Sequence, residues 1–309
     1  IINNEPILKA KNIISDCREL NIKIVDEGSD LYPNLLRECP DKPYVIYAKG
    51  FVNANNQDLI AMVGTRNCTN YGLQNCDFFL KKLRQYKIGV VSGLAYGIDI
   101  QSHKVANKLK IPNYAILGSG INNIYPKSHQ KIANDIIKNG MLISEFPPNS
   151  PPLKYNFPKR NRIIAGMSKS TVVVESGKNG GAMITAKLAN DYNRDVFAIP
   201  GDIHKPYSQG CNQLIYNHQA QILNDPKNII DFFELDKLKD NETIRTSKNH
   251  KINGDQKLIY EYIHENRNSS FNKIQSKLNL STPKLNSILT SMEIDELISQ
   301  LPGKIYDII

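Results

Sequence analysis

The sequence contains no tryptophan, and its five cysteines (Cys17, Cys39, Cys68, Cys76 and Cys211) form no CxxC pair. The six histidines do not stand at ligand spacing beside them, so neither a structural metal site nor a disulfide framework is expected. Unpaired thiols suit a reducing compartment, and the cytoplasm is the expected location. No run of about eighteen apolar residues occurs, which leaves nothing for a membrane-spanning helix. The opening IINNEPILKA has neither an initiator Met nor the pattern of a secretory leader, and reads as a chain that has lost its natural start. An acidic excess is missing too. The 39 Lys and Arg outnumber 30 Asp and Glu, giving a net charge of +9.

The position of that charge matters more than its size. Between Gln101 and Gly210 stand fifteen basic and six acidic residues, whereas from Lys251 onward each sign occurs seven times. The excess of the whole chain equals that of one central segment. Such a segment is either a solvated face or the footprint of a polyanion.

Residues 1–50 read as a helix and a short strand that extend the domain after them. Ile7, Ala10, Ile14 and Cys17 fall at helical spacing, and YVIYAKG has the pattern of a strand. Across residues 51–235, the apolar runs DLIAMVG, IGVVSG, NYAILG, MLISEF, STVVVES and DVFAIPG alternate with amphipathic stretches. Continuous apolar strands joined by crossover helices predict a doubly wound, mostly parallel, Rossmann-like α/β sheet buried on both faces. Ligands of such sheets bind at the carboxyl ends of the strands. Residues 236–254 are polar and read as a linker. In residues 255–309, DQKLIYEYIHEN, SFNKIQSKLN and STPKLNSILTSMEIDELISQL predict three helices and GKIYDII a strand, a small winged-helix domain. Ser281 is the expected N-cap of the third helix, with Pro283 in its first turn.

The glycine-bearing strand ends carry the candidate site. MVGTRNCTNYG sets Arg66 just past a strand, where its planar guanidinium reaches a phosphate with two donors or bridges to a surface carboxylate. In VVSGLAYGIDIQSH, Asp99 falls in the first turn of a helix and reads as a cap, and His103 as a packed or capping histidine. The Gly118-Ser119-Gly120 turn offers backbone N–H groups to an anion, with Lys127 as a nearby charge.

PPLKYNFPKRNRIIAG, residues 151–166, is the densest segment. Lys154, Lys159, Arg160 and Arg162, with Lys169 beyond, interleave with Tyr155, Phe157 and Asn161. Cations to follow a backbone and rings to stack on bases are the makeup of a single-strand groove. The alternative places Phe157 in the core and Arg162 in an internal ion pair. Finally, VVVESGKNGGAMITAKLA opens its backbone at Ser176, Gly177, Gly180 and Gly181, a second anion cradle at a helix start. It is neither GxGxxG nor GxxxxGK[ST], so neither dinucleotide nor P-loop chemistry is supported. Glu175 is either an acid–base group or a brace for this turn.

Together these motifs resemble the DNA-processing protein A family, also called Smf. The resemblance rests on GTR at Gly64–Arg66, SGLAYGID at Ser92–Asp99, GSGINNIYP at Gly118–Pro126 and FPKRNRIIAG at Phe157–Gly166. ESGKNGGAMITA at Glu175–Ala186, IPGD at Ile199–Asp202 and GCNQLI at Gly210–Ile215 complete it. It covers about Tyr32 to Phe233, and the tail from Lys257 resembles the winged helix that many members carry. The resemblance implies a Rossmann-like homodimer in the cytoplasm that binds and protects incoming single-stranded DNA. It further implies loading of the RecA recombinase during natural transformation and relief of the block set by single-strand-binding protein. Carried over, Arg66, Lys127, Lys154, Phe157, Arg160 and the Ser176–Gly181 turn would hold the DNA, Phe157 by stacking. Two departures stand out. An N-terminal helical module common in the family is absent or reduced to the residues before Leu20, and Gln219 replaces a usual glycine.

The reading is therefore a binding module without catalytic residues, cofactor or metal. A rival from another class is a Rossmann-like nucleotide phosphoribohydrolase, faintly echoed by Glu175 with Gly180 and Gly181. Such an enzyme has no need of the basic-aromatic segment Lys154–Arg162. A third reading makes the winged helix a sequence-specific DNA reader. Its zero net charge opposes that and favours a protein-interaction or structural role.

Overall fold

A computed structural model describes residues 5–50, 53–235, 254–266, 268–295, 297–301 and 303–308. The strand Asp58–Val63 shows why its sheet is buried on both faces. Leu59, Ala61 and Val63 enter one apolar layer, Ile60 and Met62 the other. Nine strands form this sheet: β1 (Lys23–Asp26), β2 (Val45–Gly50), β3 (Asp58–Val63), β4 (Ile88–Ser92), β5 (Asn113–Leu117), β6 (Gly140–Ser144), β7 (Ser170–Val173), β8 (Asp195–Ala198) and β9 (Gln221–Ile222). Their order is β1-β2-β6-β5-β4-β3-β7-β8-β9. The seven strands from β6 to β9 are parallel, and β2 and β1 add an antiparallel pair at the β6 edge. The sheet is doubly wound and mostly parallel, as the alternation of apolar runs predicts.

The helices of this unit are α1 (Glu5–Glu19), α2 (Asn34–Arg37), α3 (Asn70–Leu83), α4 (Ile98–Leu109), α5 (Gln130–Ile136), α6 (Asn156–Gly166), α7 (Gly181–Asp191), α8 (Gln209–Tyr216) and α9 (Lys227–Phe232). One layer takes Phe79 and Leu83 of α3 with Ile98 and Val105 of α4. The opposite layer takes Ile163 of α6, Ala182 and Ala186 of α7 and Leu214 of α8. From β3 the chain steps through β4, β5 and β6 to one side, then crosses back to place β7 on the other side of β3. That reversal makes the carboxyl ends of β3 and β7 the switch point of the sheet, where neighbouring connections diverge and leave a crevice.

The chain divides into two compact units, Ile1–Thr243 and Ile244–Ile309. The expected linker, residues 236–254, lies outside the described residues except for its last position. In the second unit, α10 (Asp255–Glu265), α11 (Phe271–Leu278) and α12 (Thr282–Ile294) pack with an antiparallel sheet ordered β10 (Ser269–Ser270), β12 (Ile305–Ile308), β11 (Ile298–Leu301). Ser281 and the proline in the first turn open α12 as expected. One expectation is corrected. ISQL, assigned to the third helix from its spacing, is β11, because α12 ends at Ile294 and Ile298 turns into the core against Tyr306. Gly303 and Lys304, both at positive φ, close the hairpin to β12.

His103 on α4 is fully buried, its Nδ1 2.6 Å from Asn113 Oδ1, and Asn113 donates back to His103 O at 3.0 Å. Burial holds the imidazole down to about 4, against the opposing pull of the Asn113 bond. The unfolded chain therefore takes up this proton at a higher pH than the native one. Stability carried by the neutral ring is present above about pH 6.5 and is lost as pH falls towards 4. Denaturant titrations should show the first unit losing up to about 3 kcal/mol across that window. His103→Gln should remove most of that slope, and an unchanged slope in the variant would count against the assignment.

Candidate functional site

Five strand ends surround one cleft of about 560 Å3 at the carboxyl rim of the parallel sheet. After β3 come Gly64, Thr65 and Arg66, and after β4 come Ala95 and Asp99. Tyr125 follows β5. Lys154, Phe157, Pro158, Arg160, Asn161 and Ile164 follow β6, and the stretch from Gly180 to Thr185 follows β7. β3 and β7 frame the switch point, so the cleft lies where the topology leaves its crevice.

The spacing on α6 explains which of its residues arrive there. Phe157, Arg160, Asn161 and Ile164 recur at intervals of three and four, one stripe of a helix that turns about 100° per residue. Phe157 is half-buried, its ring centroid 5.6 Å from that of Tyr125 and tilted by 53°. Tyr125 is itself 50% exposed, so the two rings form an accessible aromatic corner. Deeper in, Arg160 is 3% exposed and donates through Nη1 to Ile116 O at 2.8 Å. Gly93 lies against both the Arg160 guanidinium and the Asp99 carboxylate, and any side chain there would collide with the two. Burial lowers the Arg160 pKa to about 10, with Asp99 opposing and Arg66 adding to the fall. The group stays charged at neutral pH. Burial pushes the Asp99 carboxyl up, against the attraction of Arg160 and bonds from the backbone of Ala95 and Gly93. Asp99 thus braces the loop before α4 and faces the cleft from below.

The other wall is the start of α7. Gly180 is its N-cap and offers no side chain to cap the helix, Met183 N–H donates to Gly180 O at 3.0 Å, and Gly180, Gly181 and Ala182 place the start of the helix on the cleft wall. Arg66 and Lys154, both exposed, stand on the rim with Gly181. Cations, helix N-terminus and aromatic corner make an anion site beside a surface for flat rings.

Several expected residues are placed elsewhere. Arg162 lies two positions from Arg160 and therefore on another side of α6, buried in an ion pair with Glu145. Lys159 joins the same carboxylate at 3.5 Å and lies 5.7 Å from the Phe146 ring. Lys169 precedes β7, at the end of the sheet away from the cleft, and pairs with Asp58 at 3.3 Å. Gly120 is no anion cradle. It is buried and its N–H donates to Ser150 O at 2.9 Å. Ser176 donates its N–H to Tyr207 O at 2.7 Å and its hydroxyl to Gly177 O at 2.9 Å, which ties the first half of that turn inward. Only Gly180 and Gly181 of the turn reach the cleft. Tyr155 is 69% exposed outside the lining, and Lys127 is exposed in a short turn two residues past Tyr125.

Glu175, the group on which a hydrolytic rival would depend, is 3% exposed. Its carboxylate accepts from Thr69 N at 2.8 Å and Thr69 Oγ1 at 2.6 Å, at the N-cap of α3. Its backbone oxygen accepts from Thr65 N at 2.7 Å. It is a brace, joining the loops after β3 and β7. Sequence reasoning missed Tyr125 and Ile184 as lining residues. Tyr125 sits inside the GINNIYP motif, and its place four residues from Ile121 in a loop gave no periodic signal. Ile184 is legible as the i+3 neighbour of Gly181.

A profile of the family described as DNA recombination-mediator protein A matches residues 23–234. Protein Smf of Escherichia coli is 37% identical over 212 residues, 68% of this chain and 56% of that protein. The chain thus matches little more than half the length of that relative. DNA processing protein DprA of Bacillus subtilis is 37% identical over 208 residues, 67% of this chain and 70% of the relative. Among solved structures, DNA processing protein A from Streptococcus pneumoniae aligns with a TM-score of 0.66 at 32% identity, over 70% of this chain and 75% of that one. That from Helicobacter pylori, described for its single-stranded DNA binding mode, aligns with a TM-score of 0.62 at 25% identity, over 69% and 95%.

The Glu145 pair gives a prediction that needs no ligand. Removing the carboxylate by Glu145→Ala leaves the buried Arg162 charge uncompensated, and unfolding titrations should show a loss of about 3 kcal/mol. A loss below about 0.5 kcal/mol would mean that the pair behaves as an exposed one.

Proposed function

Because the chain belongs to the DNA recombination-mediator protein A family, we propose that its cleft binds single-stranded DNA and that no bond of the DNA is made or broken there. The observation that carries this reading is the meeting of Arg66, Lys154, the α7 N-terminus and the half-open Phe157 ring in one cleft. Phosphates would meet Arg66, Lys154 and the first-turn N–H groups, and a base would stack on the Phe157–Tyr125 corner. A duplex keeps its base faces stacked inside and has no use for that ring, whereas a single strand offers one at every step. Lys127 and Asn161 supply further polar contacts at the edge and wall of the cleft. The single-stranded DNA binding for which the Helicobacter pylori neighbour is described supports the choice of ligand. The bracing role of Glu175 favours binding over hydrolysis. Protection of incoming strands, loading of the RecA recombinase against single-strand-binding protein, action as a homodimer in the cytoplasm and a part in natural transformation complete the proposal. They rest on the family.

Binding of oligo-dT and of a matched duplex across a salt series tests the reading. Arg66→Ala should weaken binding to every sequence about tenfold and shallow the slope of log affinity on log salt by about 0.7, one phosphate contact on a single strand. Lys159→Ala, whose ammonium faces Glu145, should leave that slope unchanged. Equal slopes for Arg66→Ala and the parent chain would overturn the proposal. Phe157→Ala should weaken oligo-dT binding by about tenfold and duplex binding much less. Equal losses on both substrates would remove stacking from the account.

A further inference from the structure

Arg66 lines a second depression as well as the cleft. This one, of about 530 Å3, lies on the far side of the loop before α4 and is lined by Arg66, Asn67, Tyr96, Gly97, Gln101 and Lys104. Gly97, Gln101 and Lys104 follow at intervals of four and three, one stripe along the start of α4. Between the two hollows runs a ridge of closely apposed backbone. Gly97, at φ +77°, lies against Thr65 O with no room for a side chain, and Ile98 N donates to Thr65 O at 3.3 Å. Arg66 rises from this ridge and is open to both sides.

The second hollow repeats the chemistry of the first. Tyr96 is 50% exposed, with its ring 4.8 Å from that of His129 at 73° and its hydroxyl 3.3 Å from Ser128 Oγ. One side of the ring is thereby fixed while half its surface stays open. Lys104 is exposed and pairs with no carboxylate within 4 Å among the described residues. Asp77, on the neighbouring α3, accepts from Gln101 at 2.7 Å. A short segment links the aromatic surfaces. Tyr125 lines the cleft, His129 touches Tyr96, and the exposed Lys127 lies between them in sequence.

We propose that a single strand bound in the cleft continues over the Arg66–Gly97 ridge into this second hollow, where a further base stacks on Tyr96 and a phosphate meets Lys104. The proposal rests on the single-strand reading of the cleft and extends its footprint. Arg66 then serves the phosphate that crosses the ridge, and Lys127 flanks the same path.

Affinities of the full chain for oligo-dT of increasing length, read by fluorescence anisotropy, test the extension. For Tyr96→Ala and Lys104→Ala the loss should appear only once the oligomer is long enough to cross the ridge, and reach about tenfold for Tyr96→Ala on the longest. Tyr96→Phe, which keeps the ring, should retain the affinity of the parent chain on every length and so exclude a mere folding defect. Phe157→Ala should lose affinity at every length. Losses in Tyr96→Ala and Lys104→Ala that are absent, or equal at all lengths, overturn the extension and leave the cleft reading standing. Failure of the parent chain to bind oligo-dT at any length overturns the cleft reading, and the extension with it.

Discussion

The guanidinium of Arg160 joins parts of the chain that the sequence keeps far apart. It hangs from α6, donates to the carbonyl at the end of β5, and sits across Gly93 from Asp99 at the head of α4. A buried cation with these attachments fixes where α6 lies on the sheet. The position of α6 in turn decides that Phe157 and Asn161 face the cleft while Arg162 and Lys159 face Glu145. A neutral residue at 160 would leave Asp99 without its counter-charge in a dry place, a costly arrangement for a buried carboxylate.

Much of the architecture was legible because parallel sheets write a plain pattern. Six apolar runs, most ending in glycine, serine or proline, became β3 to β8, since strands covered on both faces need apolar residues at every position. The second unit was harder to read. Ile298–Leu301 follows a helix closely and mixes Ile and Leu with polar residues, so four residues fit a helical turn as well as a strand. Only the pairing with β12, a contact between segments, settles it.

The site was half legible for a related reason. A cluster of positive residues in sequence says that charge is near, and says nothing about the side of the helix from which it projects. Of the five cations counted between Lys154 and Lys169, Lys154 and Arg160 line the cleft, and the other three are bound to Glu145 or Asp58. The 100° advance per helical residue was enough to separate Arg160 from Arg162 once the helix was recognised. The glycine turns predict exposed N–H groups at Gly120 and Ser176, but the carbonyls of Ser150 and Tyr207 in neighbouring loops take them.

Glu175 reaches from the exit of β7 to Thr69 and Thr65 beyond β3, and so staples together the two lips of the crevice. Lips joined in this way cannot drift apart independently. The shape that receives a ligand is therefore set when the chain folds, and little ordering entropy is left to be spent at the moment of association. On the proposed reading, the loss of freedom on association would then fall on the guest strand.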